Sequence, residues 1–232
     1  MSDPLHTVHG TARLLASQRT YYDERADDYG DESKPDRKGG GMMKPELCRA
    51  LIDELRPAGD VLELACGTGY FTAEIVRHAQ SLTAVDASPR MLAINERRVA
   101  NPRVTYVNAD IYAWRRDRAY DTMFFGAWLS HVPPAAFDDF WALLHTCLAP
   151  NGRVAFVDED DRAAGHDDRY SLNGVPAARR KLSDGREFKI VKVFWRSEDL
   201  EDRLRSSRWD ITIKGVGETL MYGVGRFAPR RD

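Results

Sequence analysis

The stretch VLELACGTGYFTAEIV, residues 61–76, constrains the fold more than any other part of the sequence. An apolar run ends at Leu64, small residues fill positions 65–69, and a helix-compatible run begins at Tyr70. Glycine is needed where the backbone turns tightly, and also where a ligand lies directly against the backbone. The stretch therefore predicts a strand, a glycine turn and a helix, and it leaves open whether the turn binds a ligand.

Short apolar runs alternate with helix-like segments on both sides of this turn. The predicted strands are 60–64, 82–85, 104–107, 121–126 and 153–157, with two closing strands at 209–214 and 220–227. The predicted helices are 46–55, 70–78, 89–100, 134–148 and 197–204. Strands separated by helices indicate βαβ units and a parallel sheet, so we predict an α/β fold with a doubly wound sheet.

Three further segments complete the predicted organisation. Residues 13–28 mix apolar and charged side chains at helical spacing, and 34–45 is a loop rich in charge, glycine and proline. Residues 158–176 are polar and predict no regular structure, whereas 182–195 predicts a hairpin with a turn at Asp184-Gly185. We therefore expect a helical cap and loop over 1–45 and a main domain over 46–232. Within the main domain we expect a lid insertion at about 159–195, mobile between 163 and 181.

Composition and charge restrict the class of partner. The chain has 232 residues and a net charge of −2, so no overall field attracts nucleic acid or a membrane surface. Cys48, Cys66 and Cys147 are too widely spaced for a disulfide framework or a zinc set. Because no secretory signal begins the sequence, we expect a cytoplasmic protein that acts on a small molecule. The sequence is also compatible with a homodimer.

Acidic residues at predicted strand ends suggest what the glycine turn binds. Asp86 follows the second strand, where a carboxylate can accept both hydroxyls of a ribose. Asp110 follows the third strand and can accept the exocyclic amine of an adenine, or it caps a short turn. Glu63 lies inside the first strand, where a carboxylate is useful only if it faces a cation. Thr72 stands where a dinucleotide-binding turn has its third glycine, which weakens the alternative of an NAD-dependent oxidoreductase.

Four motifs in this order carry a resemblance to a known family. ELACGTG from Glu63, then Asp86, then Ala109-Asp110-Ile111, and finally FFGAWLSHVP resemble class I S-adenosylmethionine-dependent methyltransferases. The resemblance covers roughly 20–227 and departs at Ala65, where the family most often has glycine. It implies a Rossmann-like, seven-stranded sheet with an antiparallel last strand.

The resemblance also implies a cofactor site for S-adenosylmethionine. Glu63 would face the methionyl amine, the glycine turn would pass under the cofactor, and an N-terminal helix would fold over it. The residues implied to contact the cofactor are Tyr22, Arg25, Tyr29, Glu63, Ala65, Gly67, Gly69, Asp86, Ala87, Asp110 and Ile111.

Two longer stretches narrow the resemblance to oxygen methylation. AWLSHVPPAAFDDFW and LSDGREFKIVKVF resemble a bacterial phosphonate O-methyltransferase of dehydrophos biosynthesis, and mycobacterial sugar O-methyltransferases are a second candidate group. The acceptor is then a small polar metabolite with either a neutral hydroxyl or an anionic oxygen. Methylation of nitrogen or carbon is the alternative.

The chemistry of the acceptor decides which side chains are required. A neutral hydroxyl needs a base, and His131 after the fourth strand is our candidate, with structural packing as the alternative. An anionic oxygen needs cations instead. Alternation places Lys192 on one face with apolar neighbours, so it points into a pocket or snorkels at an edge. Trp128 and Arg180 are candidate acceptor contacts, and we expect a hydroxyl acceptor because His131 is better placed.

An acidic run follows the fifth predicted strand. Alternate carboxylates in Asp158–Asp161 could bind Mg²⁺, and a solvated acidic loop is the other interpretation.

Overall fold

The computed structural model of the protein describes residues 4–28, 44–116, 118–166 and 169–228. Tyr29 and most of the predicted 34–45 loop lie outside these ranges. No described helix is long and apolar enough to cross a membrane.

Helices and strands alternate as predicted. The described helices are α1 (Pro4–Glu24), α2 (Pro45–Leu55), α3 (Thr72–Ile75), α4 (Pro89–Val99), α5 (Phe137–Cys147) and α6 (Ser197–Ser206). The described strands are β1 (Gly59–Leu64), β2 (Ala79–Asp86), β3 (Val104–Asn108), β4 (Tyr120–Gly126), β5 (Leu148–Glu159), β6 (Arg169–Leu172), β7 (Val175–Lys181), β8 (Glu187–Val191), β9 (Trp209–Val216) and β10 (Leu220–Phe227).

A seven-stranded sheet forms the centre of the molecule. Its strand order is β3-β2-β1-β4-β5-β10-β9, and β10 runs antiparallel to both of its neighbours. The pairs β3–β2, β2–β1, β1–β4 and β4–β5 are parallel, as βαβ connections require. The order reverses direction beside β1, so the carboxyl ends of β1, β2 and β4 open onto a crevice. The doubly wound sheet with an antiparallel last strand is confirmed.

The two faces of this sheet are covered by different helices. Phe140, Trp141 and Leu144 of α5 are buried with Leu200 and Leu204 of α6 on one face. Residues of α2 and α3 cover the other face, where they are buried against Val61 of β1 and Phe124 of β4. The helix after the glycine turn is shorter than predicted, because hydrogen bonds from Glu74 N to Phe71 O and from His78 N to Ile75 O tighten both ends into three-residue turns.

The prediction of an unstructured segment over 158–176 is wrong. β5 extends to Glu159, a 3₁₀ helix covers Asp161–His166, and β6, β7 and β8 form a second, antiparallel sheet. The strand pattern of β7 was not recognised because its sequence is VPAARRK, in which the apolar residues are small and proline occupies the second position. The hairpin between β7 and β8 is confirmed, with Asp184-Gly185 at its turn. Whether this region moves as a lid stays a prediction, as does the division into a cap and a main domain.

Helix α1 packs along the outer edge of the small sheet. Leu14 is buried among Val175, Ala177 and Val191, and Tyr21 is buried in a cluster with Ile190. Two edge amides of β8 donate to side chains of α1: Val191 N to Gln18 Oε1 at 3.0 Å and Lys189 N to Ser17 Oγ at 3.2 Å. The helix therefore completes an otherwise unpaired strand edge while burying apolar side chains.

This packing predicts that α1 can be detached while the seven-stranded sheet stays folded. Leu14→Ala should lose about 2–5 kcal/mol of docking energy, because a buried leucine is removed from a closed cluster. Hydrogen exchange should then accelerate in α1 and at the amides of Lys189 and Val191, but not in β1 or β4. Arg13→Ala, an exposed neighbour on the same helix, is the matched control. Equal acceleration throughout the central sheet would contradict this separation.

Candidate active site

A cleft opens at the carboxyl ends of the parallel strands and is closed on one side by α1. It contains about 840 Å³ of empty space, part of which is open to solvent. Nine residues predicted from the sequence line it: Tyr22, Ala65, Gly67, Asp86, Ala87, Asp110, Ile111, Trp128 and His131. Glu63, Gly69, Arg25, Arg180 and Lys192 are not among its lining residues, and Tyr29 lies outside the described ranges.

The two glycines of the turn have different roles. Gly67 has a φ of +52°, and a Cβ added there would meet no described atom within 4 Å, so its backbone faces open space in the cleft. Gly69 has a φ of +87°, but a Cβ there would lie 2.4 Å from Oδ1 of buried Asn95. Gly67 therefore leaves room for a ligand, whereas Gly69 leaves room for the protein's own packing.

Two alanines at the cleft take the left-handed conformation that favours glycine. Ala65 has a φ of +52° and Ala127 a φ of +51°, and both line the cleft at the ends of β1 and β4. This conformation costs a residue with a Cβ about 1–2 kcal/mol. The geometry explains why a glycine fits the position of Ala65, and it shows backbone strain on both sides of the cleft.

Asp86 is held by backbone amides of two loops. Its Oδ2 accepts from Gly67 N at 2.9 Å, and its Oδ1 accepts from Ser88 N at 2.8 Å. Burial raises the pKa of this carboxyl, although the amides oppose the shift. Each oxygen keeps a second lone pair, so the carboxylate can still accept hydrogen bonds from a ligand in the cleft.

Asp110 was predicted from the sequence either to cap a turn or to contact a ligand, and its position at the cleft allows both. Its Oδ1 accepts from Tyr112 N at 3.0 Å, which caps the turn after β3. Its Oδ2 pairs with the guanidinium of Arg19 from α1. Ile111 is buried beside it and lines the cleft. The turn cap uses Oδ1, and Oδ2, which pairs with Arg19, keeps a second lone pair that can accept a hydrogen bond from a ligand.

Glu63 lies beneath the glycine turn and does not reach the cleft surface. It is 1% exposed, and its Oε2 has no hydrogen-bond partner among the described residues. Burial raises the pKa of this carboxyl to about 8, opposed by a hydrogen bond from Thr72. The side chain is therefore mostly protonated at neutral pH.

His131 is buried, neutral and fully hydrogen-bonded. Its Nδ1 lies 2.8 Å from the carbonyl oxygen of Val191, so Nδ1 carries the proton, because a carbonyl can only accept. Its Nε2 accepts from the hydroxyl of Tyr22 at 2.7 Å. Burial holds the pKa of the imidazole well below its usual range, with further lowering by the charges of Lys192, Arg180 and Arg25. The ring connects β8 to α1, and the hydroxyl of Tyr22 covers its outer nitrogen.

Lys192 is buried rather than snorkelling, and it lies just past the end of β8. Its ammonium pairs with Glu159 and donates to Ser130 Oγ at 3.1 Å. It also lines a second cavity with Arg169, Tyr170 and Phe194. Of the two interpretations, the pocket is the one that the geometry supports, but the ammonium already has a carboxylate partner.

Three carboxylates of the acidic run at the end of β5 are bound to protein groups. Asp158 accepts from Ser130 N at 3.1 Å, Glu159 pairs with Lys192, and Asp160 pairs with Arg162. The run is thus not a solvated loop. In the parts of the chain that the structure describes, no group of three histidine, cysteine, aspartate or glutamate side chains is arranged to hold a metal ion.

Several site residues were missed by the sequence reasoning, three of them with polar side chains that bear on the argument. Gln18 and Arg19 line the cleft from α1, and buried Asn95 supports the glycine turn from α4. The helical spacing of 13–28 predicted a helix but not which of its faces meets the cleft. Asn95 did carry a signal: asparagine is a poor helix former in the middle of an amphipathic helix.

Comparison with known proteins agrees with this geometry. The family model described as a methyltransferase domain matches residues 61–152. The solved structure of DhpI in complex with SAH is 36% identical, with a TM-score of 0.79, and the match covers 96% of this chain and 99% of that one. The chain belongs to the S-adenosylmethionine-dependent methyltransferases.

Relatives with curated names match over a shorter stretch. Trans-aconitate 2-methyltransferase of Enterobacter sp. (strain 638) is 34% identical over 146 residues, which are 59% of this chain and 54% of that protein. The enzyme of the same name from Escherichia coli O1:K1 / APEC is 39% identical over 111 residues, 47% of this chain and 41% of that protein. The chain thus spans about half the length of the curated relatives it matches.

The cleft of this methyltransferase fits S-adenosylmethionine. The backbone of Gly67 faces open space at the end of β1, and the carboxylates of Asp86 and Asp110 lie at the ends of the next two strands. The two carboxylates can accept hydrogen bonds from the ribose hydroxyls and the adenine amine of a nucleoside, and the open glycine leaves room for it at the switch point of the sheet.

The first prediction from this site concerns Asp86. Asp86→Ala should weaken binding of S-adenosylhomocysteine by about 1.5–3 kcal/mol, the range for hydrogen bonds to charged groups. Asp86→Asn, which keeps acceptor capacity on one oxygen, should lose less. Titration calorimetry measures both affinities. Unchanged affinity in Asp86→Ala would show that this carboxylate does not bind the cofactor.

The second prediction concerns Glu63 and pH. The folded carboxyl keeps its proton up to about pH 8, whereas the unfolded chain releases it near 4.5. The stabilisation is therefore full below pH 4.5 and is lost as the pH rises towards 8. Glu63→Gln lacks this titration, so its stability relative to wild type should increase between pH 5 and pH 8.5. Urea midpoints at these two pH values measure the difference. A constant difference would show that Glu63 is ionised in the folded protein.

Proposed function

We propose that this methyltransferase transfers the methyl group to an anionic oxygen of a small acceptor, a carboxylate or a phosphonate. The observation that carries the proposal is His131, which is neutral, buried and hydrogen-bonded through both ring nitrogens. The charges of Lys192, Arg180 and Arg25 act on the same place. The surroundings of His131 thus contain two arginine charges and a lysine that is paired with Glu159, and both ring nitrogens of His131 are already hydrogen-bonded.

An anionic acceptor matches this arrangement chemically. S-adenosylmethionine supplies a methyl group on a positively charged sulfur, so the reaction needs a nucleophile aligned about 3 Å from that carbon. A neutral hydroxyl must also lose a proton to a base. A carboxylate or phosphonate oxygen needs no base, and nearby cations favour its binding. The residues present supply the cations that an anionic acceptor needs better than they supply the base that a neutral hydroxyl needs.

The proposed cofactor seat uses the residues at the strand ends. Asp86 would accept the ribose hydroxyls, Asp110 and Ile111 would hold the adenine, and Gly67 and Ala65 would lie under the methionyl part. Tyr22 and Trp128 would form the wall nearest the acceptor. Helix α1 would exclude water from this space, since Arg19 and Tyr22 close it from above.

Two of the similar proteins support an anionic acceptor. DhpI is the dehydrophos phosphonate O-methyltransferase, and the first curated relatives are named for trans-aconitate, a carboxylate. Both names describe those proteins, and the shared feature is an acceptor with an anionic oxygen. The sequence-based preference for a neutral hydroxyl, which relied on His131 as the base, is not what we propose.

One observation favours a neutral hydroxyl as the second candidate. The Tyr22 hydroxyl donates to Nε2 of His131 at the cleft, so the pair could pass a proton from an acceptor to the imidazole. The pH dependence of the reaction rate distinguishes a neutral hydroxyl acceptor from an anionic one. A base of this kind gives a rate that falls at acid pH as the imidazole titrates. An anionic acceptor gives a rate without that histidine titration.

A further prediction tests the proposed anionic acceptor by comparing substitutions of two adjacent arginines on β7. Arg180→Gln should raise the KM for a carboxylate or phosphonate acceptor by roughly tenfold, because a positive charge near His131 is lost. Arg179→Gln is the matched control, since Arg179 is exposed and lies over the ring of Tyr170. The affinity for S-adenosylhomocysteine should stay unchanged in both.

The screen uses small carboxylates, phosphonates and neutral alcohols as acceptors, with methylation detected by mass. Turnover of alcohols in preference to both anions, with a rate that titrates through His131, would establish the second candidate instead. An equal KM in Arg180→Gln and Arg179→Gln would remove Arg180 from the acceptor site.

A further inference from the structure

Asn95 is the most completely buried amide near the cleft. It lies in α4 with 0% exposure, and asparagine is unfavourable inside a helix because its amide competes for backbone hydrogen bonds. Desolvating an amide also costs free energy unless its hydrogen bonds are replaced. Its position therefore depends on the partners it finds there.

Those partners come from three separate elements around the glycine turn. Nδ2 donates to Gly67 O at 3.2 Å and to Thr72 Oγ1 at 2.9 Å, and Oδ1 accepts from the hydroxyl of Tyr106 at 3.1 Å. The carbonyl of Gly67 can only accept, so it fixes which end of the amide carries nitrogen. The amide thus ties α4 and β3 to the turn after β1.

The same side chain also explains Gly69 and Thr72. A Cβ on Gly69 would lie 2.4 Å from Oδ1 of Asn95, so the second glycine of the motif makes room for this amide. Thr72 accepts from Asn95 and is hydrogen-bonded to Glu63. A third glycine at position 72 would remove the hydroxyl that is hydrogen-bonded to both Asn95 and Glu63 of β1.

We infer that Asn95 is a positioning residue for cofactor binding. Gly67 is held at both of its backbone polar groups: its carbonyl accepts from Asn95, and its amide donates to Asp86. Asn95 therefore sets the orientation of the glycine backbone and, through it, the carboxylate proposed to hold the ribose. Preorganising both before binding reduces the ordering cost that the cofactor must otherwise meet. This inference rests on the proposed seat of the cofactor against the turn.

The test is calorimetry with S-adenosylhomocysteine on four variants. Asn95→Ala should raise the dissociation constant by about tenfold or more, since it leaves Gly67 unheld. Thr72→Val, which removes the hydroxyl that orients the amide, should also weaken binding, whereas Thr72→Ser should stay within about threefold of wild type. Leu204→Ala, a cavity in the core on the α6 side of the sheet, controls for lost stability and should leave the dissociation constant unchanged.

The kinetic signature separates positioning from general destabilisation. The KM for S-adenosylmethionine should rise in Asn95→Ala, while turnover and the acceptor KM at saturating cofactor should change by less than about threefold. Binding by Asn95→Ala within threefold of wild type would overturn the inference. If Asn95→Ala does not fold, equal affinity in Thr72→Val and Thr72→Ser overturns it. Unchanged affinity in Asp86→Ala would instead contradict the proposed seat itself.

Discussion

The hydrogen bond from the amide of Gly67 to the carboxylate of Asp86 joins the loops after β1 and β2. These strands are parallel neighbours, so their carboxyl ends already lie side by side, and the hydrogen bond fixes how the two loops face each other. The left-handed backbone at Ala65 and Gly67 makes this geometry possible, and the buried amide of Asn95 supports it from below. Every other contact of the proposed cofactor seat is arranged around this point.

The second constraint is that the proposed acceptor side of the cleft is built by distant parts of the chain. His131 follows β4, its Nδ1 donates to a carbonyl at the end of β8, and its Nε2 accepts from α1. The hydroxyl of the neighbouring Ser130 accepts a hydrogen bond from Lys192, and the backbone amide of Ser130 donates to the carboxylate of Asp158. The small sheet and the N-terminal helix thus meet at His131, and the fifth strand of the central sheet is bound to the neighbouring Ser130, so a change in any of them reaches the proposed acceptor site.

The sequence predicted the central sheet and most of the cleft because both depend on local signals. Strand periodicity, a glycine turn and acidic residues at strand ends are enough to place Gly67, Asp86 and Asp110 at one edge. The failures depend on tertiary partners. β6 and β7 are not apolar enough to be recognised, because α1 supplies part of their core. The predicted contacts of Glu63 and Gly69 with the cofactor stay predictions: neither residue lines the cleft, and their neighbours are Thr72 and Asn95.

The docking of α1 on β8 has a consequence for how the chain is made. The contact between Gln18 and Val191 joins residues separated by 173 positions, so α1 leaves the ribosome long before its partner strand exists. At about 5–20 residues per second, the interval is on the order of 10–35 s. During that time Leu14 and Tyr21 have no cluster in which to be buried. The central βαβ units can assemble earlier, and the closed cleft is therefore among the last features of the nascent enzyme to form.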